Sequence, residues 1–288
     1  RMGELMYHTD MSMDQMRSMM GTSDRPLKQS SQPNNRLPEL KISSQRKDES
    51  GNDIKKHMGE FYVKGLGEPV YAPSVRVRVL SQLYQWIDFD EEQMRPRNKT
   101  IMIPFLNMEP RDELGTIRCG KPLTKDMADW PKSKKAQYDS INLFRQLRGL
   151  VSYEGQTVDG KTVSIENQPC IIMNKRSSYM KFEQGVISRI NGREFSDYWL
   201  DVTSEEQEMG SVVYYTWKYN PDLKNPVSMD DDTEATLVEI ARMVVEENNR
   251  IENSYRKNRQ NYELNDEALK ALESVEADLD ADLVDLPD

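Results

Sequence analysis

The stretch VRVRVLSQLYQW, residues 75–86, decides the fold of this 288-residue chain. Valine alternates with Arg76 and Arg78 in its first half, which is the two-residue period of a strand with one buried face. The alternation continues into QLYQWIDFD at 82–90. We therefore expect a half-buried antiparallel strand here.

Other segments share the short apolar or alternating pattern of strands. They are GEFYVKG (59–65), NKTIMIPFL (98–106), LVSYEG (150–155), QPCIIMN (168–174), DYWLDVT (197–203) and SVVYYTWKY (211–219). A turn at 158–161 separates the segment 150–155 from the segment 168–174. The last two are expected to form a hairpin.

Three helices are expected among these strands. PKSKKAQYDSINLFRQLRG (131–149) begins with proline, ends with glycine and has apolar residues spaced along one face from Ile141 to Leu147. SSYMKFEQGVISRING (177–192) predicts a shorter helix, and about residues 232–258 a third. The fold class is therefore mainly β with inserted helices, as a compact antiparallel barrel or sandwich followed by a C-terminal helix.

The charge of the chain is unevenly distributed. Residues 230–288 carry 18 acidic and 6 basic side chains, whereas residues 55–229 carry 23 acidic and 25 basic ones. A block of like charge of this kind is typical of a disordered interaction tail. We expect a disordered N-terminal arm at 1–56, a β-barrel domain at 57–229, a C-terminal helix at 230–262 and an acidic tail at 263–288.

The composition argues against several classes of function. His8 and His57 are the only histidines and Cys119 and Cys170 the only cysteines, which provides neither zinc-site spacing nor a histidine-based catalytic triad. No nucleotide-binding glycine loop is present. We expect no catalytic residues, metal or cofactor. The absence of a long apolar run predicts no membrane segment, and the low cysteine content favours a reducing, cytoplasmic location.

Aromatic and basic side chains interleave on several of the expected strands. Bases stack on aromatic faces while Lys and Arg bind phosphates, so this pattern predicts a groove for single-stranded nucleic acid. The candidate residues are Arg76, Arg78, Tyr84, Trp86, Arg95, Arg97, Lys99, Lys132, Lys134, Lys135, Lys175, Arg176, Tyr214, Tyr215, Trp217 and Lys218. About half of the rings in the last strand should instead line the core, and Arg76 and Arg78 fit a solvated outer face equally well.

The layout resembles that of phage-type single-stranded DNA-binding proteins, on the evidence of VRVRVLSQLYQW, SVVYYTWKY and the C-terminal ADLDADLVDLPD. The resemblance implies an oligonucleotide-binding (OB) barrel and a mobile acidic tail that docks replication or recombination proteins and competes with DNA. The tail residues concerned are Asp278, Leu279, Asp280, Asp282, Leu283, Asp285 and Leu286. This chain departs from the group by ending in Leu-Pro-Asp instead of an aromatic residue.

Two other classes remain open from the sequence. One is a viral structural or assembly protein with a β-sandwich core and disordered arms, which would act in an infected host cell. The other is a metal-dependent nuclease that uses Asp88, Asp90, Glu91 and Asp112. Of the two nucleic acids, the resemblance favours DNA over RNA as the ligand.

Overall fold

A computed structural model describes residues 36–44, 46–47, 50–51, 53–54, 56–115, 125–136 and 138–283. Its strands are β1 (Glu39–Ile42), β2 (Arg46–Lys47), β3 (Asp53–Ile54), β4 (Phe61–Lys64), β5 (Ser74–Asp90), β6 (Arg95–Lys99), β7 (Ile141–Gln156), β8 (Thr162–Asn174), β9 (Leu200–Met209) and β10 (Val212–Pro221). A short helix spans Lys132–Ala136, and a C-terminal helix spans Asp231–Leu283.

Strand β5 confirms the prediction made from the opening stretch. It runs for 17 residues and pairs antiparallel with β7 from Arg76 opposite Ser152 to Asp88 opposite Ile141. The valines at its start are at most 3% exposed. Their alternation with arginine therefore does mark the buried face of the sheet.

The main sheet has the strand order β10-β9-β5-β7-β8-β1-β4, and β6 also pairs with β5. Every pair in it is antiparallel except β1 with β8. The sheet curls into a half-barrel, an OB-like, mainly β architecture as expected. The two ends of this strand order approach each other. Ser204 Oγ of β9 donates to the carbonyl of Gly59, just before β4, at 2.6 Å, and the rings of Phe61 in β4 and Trp217 in β10 lie 5.2 Å apart.

The core lies on one face of this sheet, called here the inner face. Val77, Leu147, Ile172 and Leu200 pack there, each at most 1% exposed. Phe182, from the segment that follows β8, covers this inner-face core and packs edge-on against Tyr219 of β10. The opposite, outer face is the one on which the C-terminal helix lies.

The predicted helix at 131–149 is wrong for most of its length, because only Lys132–Ala136 is helical and Ile141 begins β7. Residues spaced three apart can also belong to a strand whose two faces are both covered, and β7 lies between β5 and β8. Gly149 does not end a helix. A side-chain carbon there would lie 1.9 Å from the Arg78 carbonyl oxygen, so glycine allows β5 to approach at its bulge.

Two further predictions change in detail. The strand expected at 98–106 is shorter and begins earlier, as β6, with single bridges from Thr100 and Ile103 beyond it. The segment 177–192 is helical only in part: a 3₁₀ turn at Arg176–Ser178 precedes a π-helical turn at Glu183–Ile187.

The predicted disordered arm, residues 1–56, contains part of the folded sheet. Strand β1 falls within it, pairs with β4 and β8, and places Leu40 in the core at 1% exposure. Its polar surroundings in sequence conceal a strand that is stabilised only by these distant partners. Residues 1–35 lie outside the described residues.

The C-terminal helix is longer than the predicted 230–262. Asp230 Oδ1 accepts from the Thr233 backbone N–H at 2.7 Å and so caps its first turn. The helix continues to Leu283, since the sequence from residue 267 is rich in Ala, Leu and Glu, which favour helices. Five of the predicted tail residues therefore lie in it by backbone, whereas Asp285 and Leu286 fall outside the described residues.

One apolar contact and several polar ones attach the C-terminal helix to the outer face. Ile240 packs on Leu80 and Leu150 near its start, and Asn248 then exchanges two hydrogen bonds with the Met102 backbone at 2.7 and 2.9 Å. Ion pairs join Lys99 to Glu247, Arg111 to Glu252 and Glu113 to Arg250. No helix in the described ranges is long and apolar enough to cross a membrane.

Candidate nucleic-acid interface

Strands β5 and β8 end, and β6 and β7 begin, at the same end of the sheet. In the strand register, Asp90 of β5 lies opposite Arg95 of β6, Asp88 of β5 opposite Ile141 of β7, and Arg145 of β7 opposite Asn174 of β8. We call this the distal end, meaning residues 84–97, 130–145 and 174–183.

The distal end brings together candidates from three separate stretches of sequence. Tyr84, Trp86, Arg95 and Arg97 lie on the paired strands, Lys175 and Arg176 directly follow β8, and Lys132, Lys134 and Lys135 lie in the short helix that precedes β7 in the sequence. Antiparallel pairing causes this convergence, because it places the end of one strand beside the beginning of the next.

An aromatic cluster occupies the inner face of the distal end. Tyr84 lies opposite Arg145, whose guanidinium carbon is 5.5 Å from the Tyr84 ring centre and 4.9 Å from that of Tyr179. Trp86, two residues beyond Tyr84 on the same face, is half-buried. Packing around Tyr179 raises the pKa of its phenol, the main cause being desolvation.

Positive charge collects on the outer face of the distal end. Lys175 Nζ lies 5.4 Å from the Phe144 ring centre, and Arg176 Nε donates to Asn142 Oδ1 at 3.1 Å. Desolvation first, then repulsion by Arg176 and Lys41, lowers the pKa of Lys175, while attraction by Glu91 and Glu39 opposes this shift. Lys175 therefore lies near both basic and acidic side chains.

Two members of this outer surface were missed in the sequence analysis. Lys41 was assigned to the disordered arm, and Phe144 to the apolar stripe of a helix. The alternation in ELKI (39–42) and FYVK (61–64) was the available signal, because these strands pair and place Lys41 opposite Tyr62 on the outer face.

The loop before β7 adds an aromatic–basic pair. Lys134 Nζ lies 3.7 Å from the Trp130 ring centre, and the rings of Trp130 and Tyr138 are 5.6 Å apart. Lys132 and Lys134 are exposed, whereas Lys135 donates to the Ala128 carbonyl at 2.7 Å. Two of the three lysines thus present their charge to solvent.

The cations of β6 are partly neutralised. Arg97 Nε lies 3.8 Å from Asp88 Oδ2, and its Nη2 lies 3.9 Å from Asp90 Oδ2. The Gln93 backbone N–H, and to a lesser extent Arg97, lower the pKa of Asp90. Arg95 is exposed near the turn between β5 and β6.

Three candidates on β5 and β6 lie elsewhere and have structural partners. Arg78 is 3% exposed and donates to the carbonyls of Ser196 and Ser228 at 2.8 and 3.1 Å. Arg76 pairs with two aspartates at 3.2 and 3.3 Å. Lys99 pairs with Glu247 of the C-terminal helix.

The candidates on β10 are also separated from the distal end. Trp217 is 8% exposed and stacks on Tyr219 in the core, as expected for half of the rings in this strand. Tyr215 donates to Glu206 at 3.0 Å, and Lys218 pairs with Glu205 at 3.2 Å. Tyr214 is half-buried opposite Gln207. The acidic β9 beside them makes this hairpin a poor surface for phosphates.

The acidic residues considered for a nuclease have other partners. Asp112 is 2% exposed and accepts from the Gly115 backbone N–H at 2.8 Å, while Asp88 accepts from Ser140 Oγ at 2.6 Å. Within the part of the chain that the structure describes, no group of three or more His, Cys, Asp or Glu is placed to hold a metal ion. Burial raises the pKa of the Cys170 thiol to about 12, and Cys119 falls outside that part.

Comparison of the chain with protein-family models, with curated proteins and with solved structures finds no match. The functional argument therefore depends on the geometry of the distal end and on the charge distribution of the chain.

Proposed function

We propose that this protein binds single-stranded nucleic acid, with DNA as the expected substrate, at the distal end. The observation that supports this most strongly is the convergence of aromatic and basic side chains from three stretches of sequence on one end of the sheet. Each base stacked on an aromatic ring contributes about 1–3 kcal/mol, and Lys or Arg binds the phosphates between stacked bases.

The arrangement favours a single strand over a duplex. Phe144 and Lys175 lie on the outer face, while Trp86 and Tyr179 lie on the inner face. A flexible strand can cross the end of the sheet and stack bases on both sides. A duplex keeps its base faces stacked inside and exposes only their edges.

The acidic C-terminal region has two roles in this proposal. Its last part, residues 263–288, carries 10 acidic side chains against one lysine and can compete with DNA for the cations of the distal end when DNA is absent. DNA then displaces the region, which becomes free to dock replication or recombination proteins in the cytoplasm, or in an infected host cell if the chain is viral.

The cations that bind phosphate can be tested by anisotropy of a labelled dT oligonucleotide. The double variant Lys175→Gln/Arg176→Gln should bind more weakly and show a salt slope smaller by about 1.4, since each phosphate contact on a single strand contributes about 0.7. Lys218→Gln is the matched control, because that lysine is exposed and already paired with Glu205. Equal loss in the control and the double variant would contradict the assignment of the site.

A second candidate function, as a structural or assembly protein, is favoured by one surface feature. Phe105, Leu106 and Met108 are 66, 51 and 43% exposed in one loop, and neighbouring exposed apolar groups of this kind can mark a protein contact. Light scattering over a range of protein concentrations tests this candidate. Concentration-dependent assembly without oligonucleotide binding would favour it over the DNA-binding proposal.

A further inference from the structure

Arg145 is a buried cation with an unused donor. It lies on the inner face of β7 at 3% exposure, and its Nε has no hydrogen-bond partner among the described residues. A buried charged group normally has all its donors satisfied, because an unpaired one incurs a desolvation penalty. The acceptors around Arg145 therefore leave its guanidinium incompletely satisfied.

Aromatic rings hold the guanidinium in place. Its carbon lies 5.5 Å from the Tyr84 ring centre and 4.9 Å from that of Tyr179. Both rings are close enough for cation–π attraction, and Tyr179 also forms a side-chain hydrogen bond with Arg145. Tyr179 is half-buried, so the cluster reaches the surface of the protein.

The anion that occupies the site is Glu183. Arg145 donates from both Nη1 and Nη2 to the same oxygen, Oε2, at 3.2 Å each. The Glu183 side chain is 41% exposed. Glu183 is also the first residue of the π-helical turn Glu183–Ile187, and π-helical turns are often found at functional sites. One shared oxygen is a poorer fit than two parallel bonds to two oxygens.

We infer that Arg145 is a phosphate-binding site of the nucleic-acid surface and that Glu183 occupies it in the free protein. The inference rests on the proposed function. A phosphodiester presents two oxygens to the guanidinium edge, and the displaced carboxylate returns to solvent at small cost because it is already partly exposed. Arg176, three residues before Tyr179, lies at the same end to bind a neighbouring phosphate.

The first test is Glu183→Gln in the full chain, measured by anisotropy with a labelled dT oligonucleotide. Removing the internal competitor should tighten binding about two- to fivefold, the factor that corresponds to breaking a partly exposed ion pair. Glu166→Gln is the control, because it removes the same charge from an exposed position on β8 away from the distal end. If Glu183→Gln binds no better than the control while the wild-type chain binds well, the inference fails and the proposed function stands.

The second test monitors the guanidinium directly. The Nε–H signal of Arg145 in a ¹⁵N-correlated NMR spectrum should shift when inorganic phosphate is added to Glu183→Gln. This readout does not require oligonucleotide binding. If no variant binds oligonucleotide, the proposed function fails, and a phosphate-dependent shift would still establish the anion site. A signal that does not move with phosphate would overturn the inference.

Discussion

Lys175 and Phe144 meet on the outer face of the distal end, with the ammonium nitrogen 5.4 Å from the ring centre. The contact joins the end of β8 to the start of β7 and places a phosphate-binding group beside a stacking surface. Bases and phosphates alternate along a single strand, so a site for it requires both kinds of group at short spacing.

Replacing Phe144 by alanine should weaken oligonucleotide binding by about 1–3 kcal/mol, the usual contribution of one stacked base. The salt dependence should stay the same, because no charge is removed. Phe105→Ala is the control, since that ring is 66% exposed in a loop outside the distal end. Anisotropy titrations at two salt concentrations measure both quantities, and a changed slope with unchanged affinity would contradict the stacking role.

Glu247 should make docking of the C-terminal helix sensitive to acid. Hydrogen bonds from Arg250 and Lys99 lower the pKa of Glu247 to about 2 from its ordinary 4.5. The folded state thus favours the ionised carboxylate, and its contribution is complete above pH 4.5 and is lost as the pH falls toward 2. The protection factor of the Met102 amide, which donates to Asn248, should therefore fall over this range once the pH dependence of intrinsic exchange is taken into account.

Glu247→Gln should show the faster Met102 exchange already at neutral pH. Glu239→Gln is the matched control, because Glu239 is exposed and pairs with Arg242 of the same helix. If both variants exchange alike, the ion pair of Glu247 with Lys99 does not hold the helix in place.

Gly149→Ala should destabilise the fold strongly. The new carbon would lie 1.9 Å from the Arg78 carbonyl oxygen and 3.0 Å from the Val79 Cα, so β5 and β7 would have to separate. We expect a loss above about 4 kcal/mol in urea unfolding, which is exceptional for one substitution. Gly160→Ala, with no atom within 4 Å but a φ of +82°, should cost only about 1–2 kcal/mol. Similar losses at both positions would contradict the close approach at the bulge.

A chain stopped at Asn265 should bind single strands more tightly than the full chain at low salt. It retains the contacts of the helix with the body, since Gly115 packs against Tyr255, Asn258 and Arg259, and it lacks most of the acidic residues after 262. The difference should disappear at high salt because screening weakens the competition. Equal affinity at low salt would remove the competitor role of the acidic region.

The strands that depend on local pattern were predictable from the sequence. The alternation of VRVRV predicted β5, and the two aromatic-rich segments within 197–219 predicted the β9–β10 hairpin. Strand β7 was missed because its apolar spacing fits a helix equally well, and only its two neighbouring strands decide the matter. Strand β1 was missed because its stability comes from β4 and β8, which are distant in sequence.

The candidate site was predictable in part for the same reason. Tyr84, Trp86, Lys175 and Arg176 were found by residue type, whereas their meeting at one end depends on strand pairing. Arg78 was the opposite case: its place in an alternating strand indicated a solvated face, but the chain at Ser196 and Ser228 covers it.

The central claim is tested most directly by titrating the full chain into a labelled dT oligonucleotide at low and moderate salt, with duplex DNA as competitor. The account predicts single-strand binding that weakens as salt rises and that duplex DNA displaces poorly. Absence of binding at low salt, or equal displacement by single strands and duplex, would contradict it.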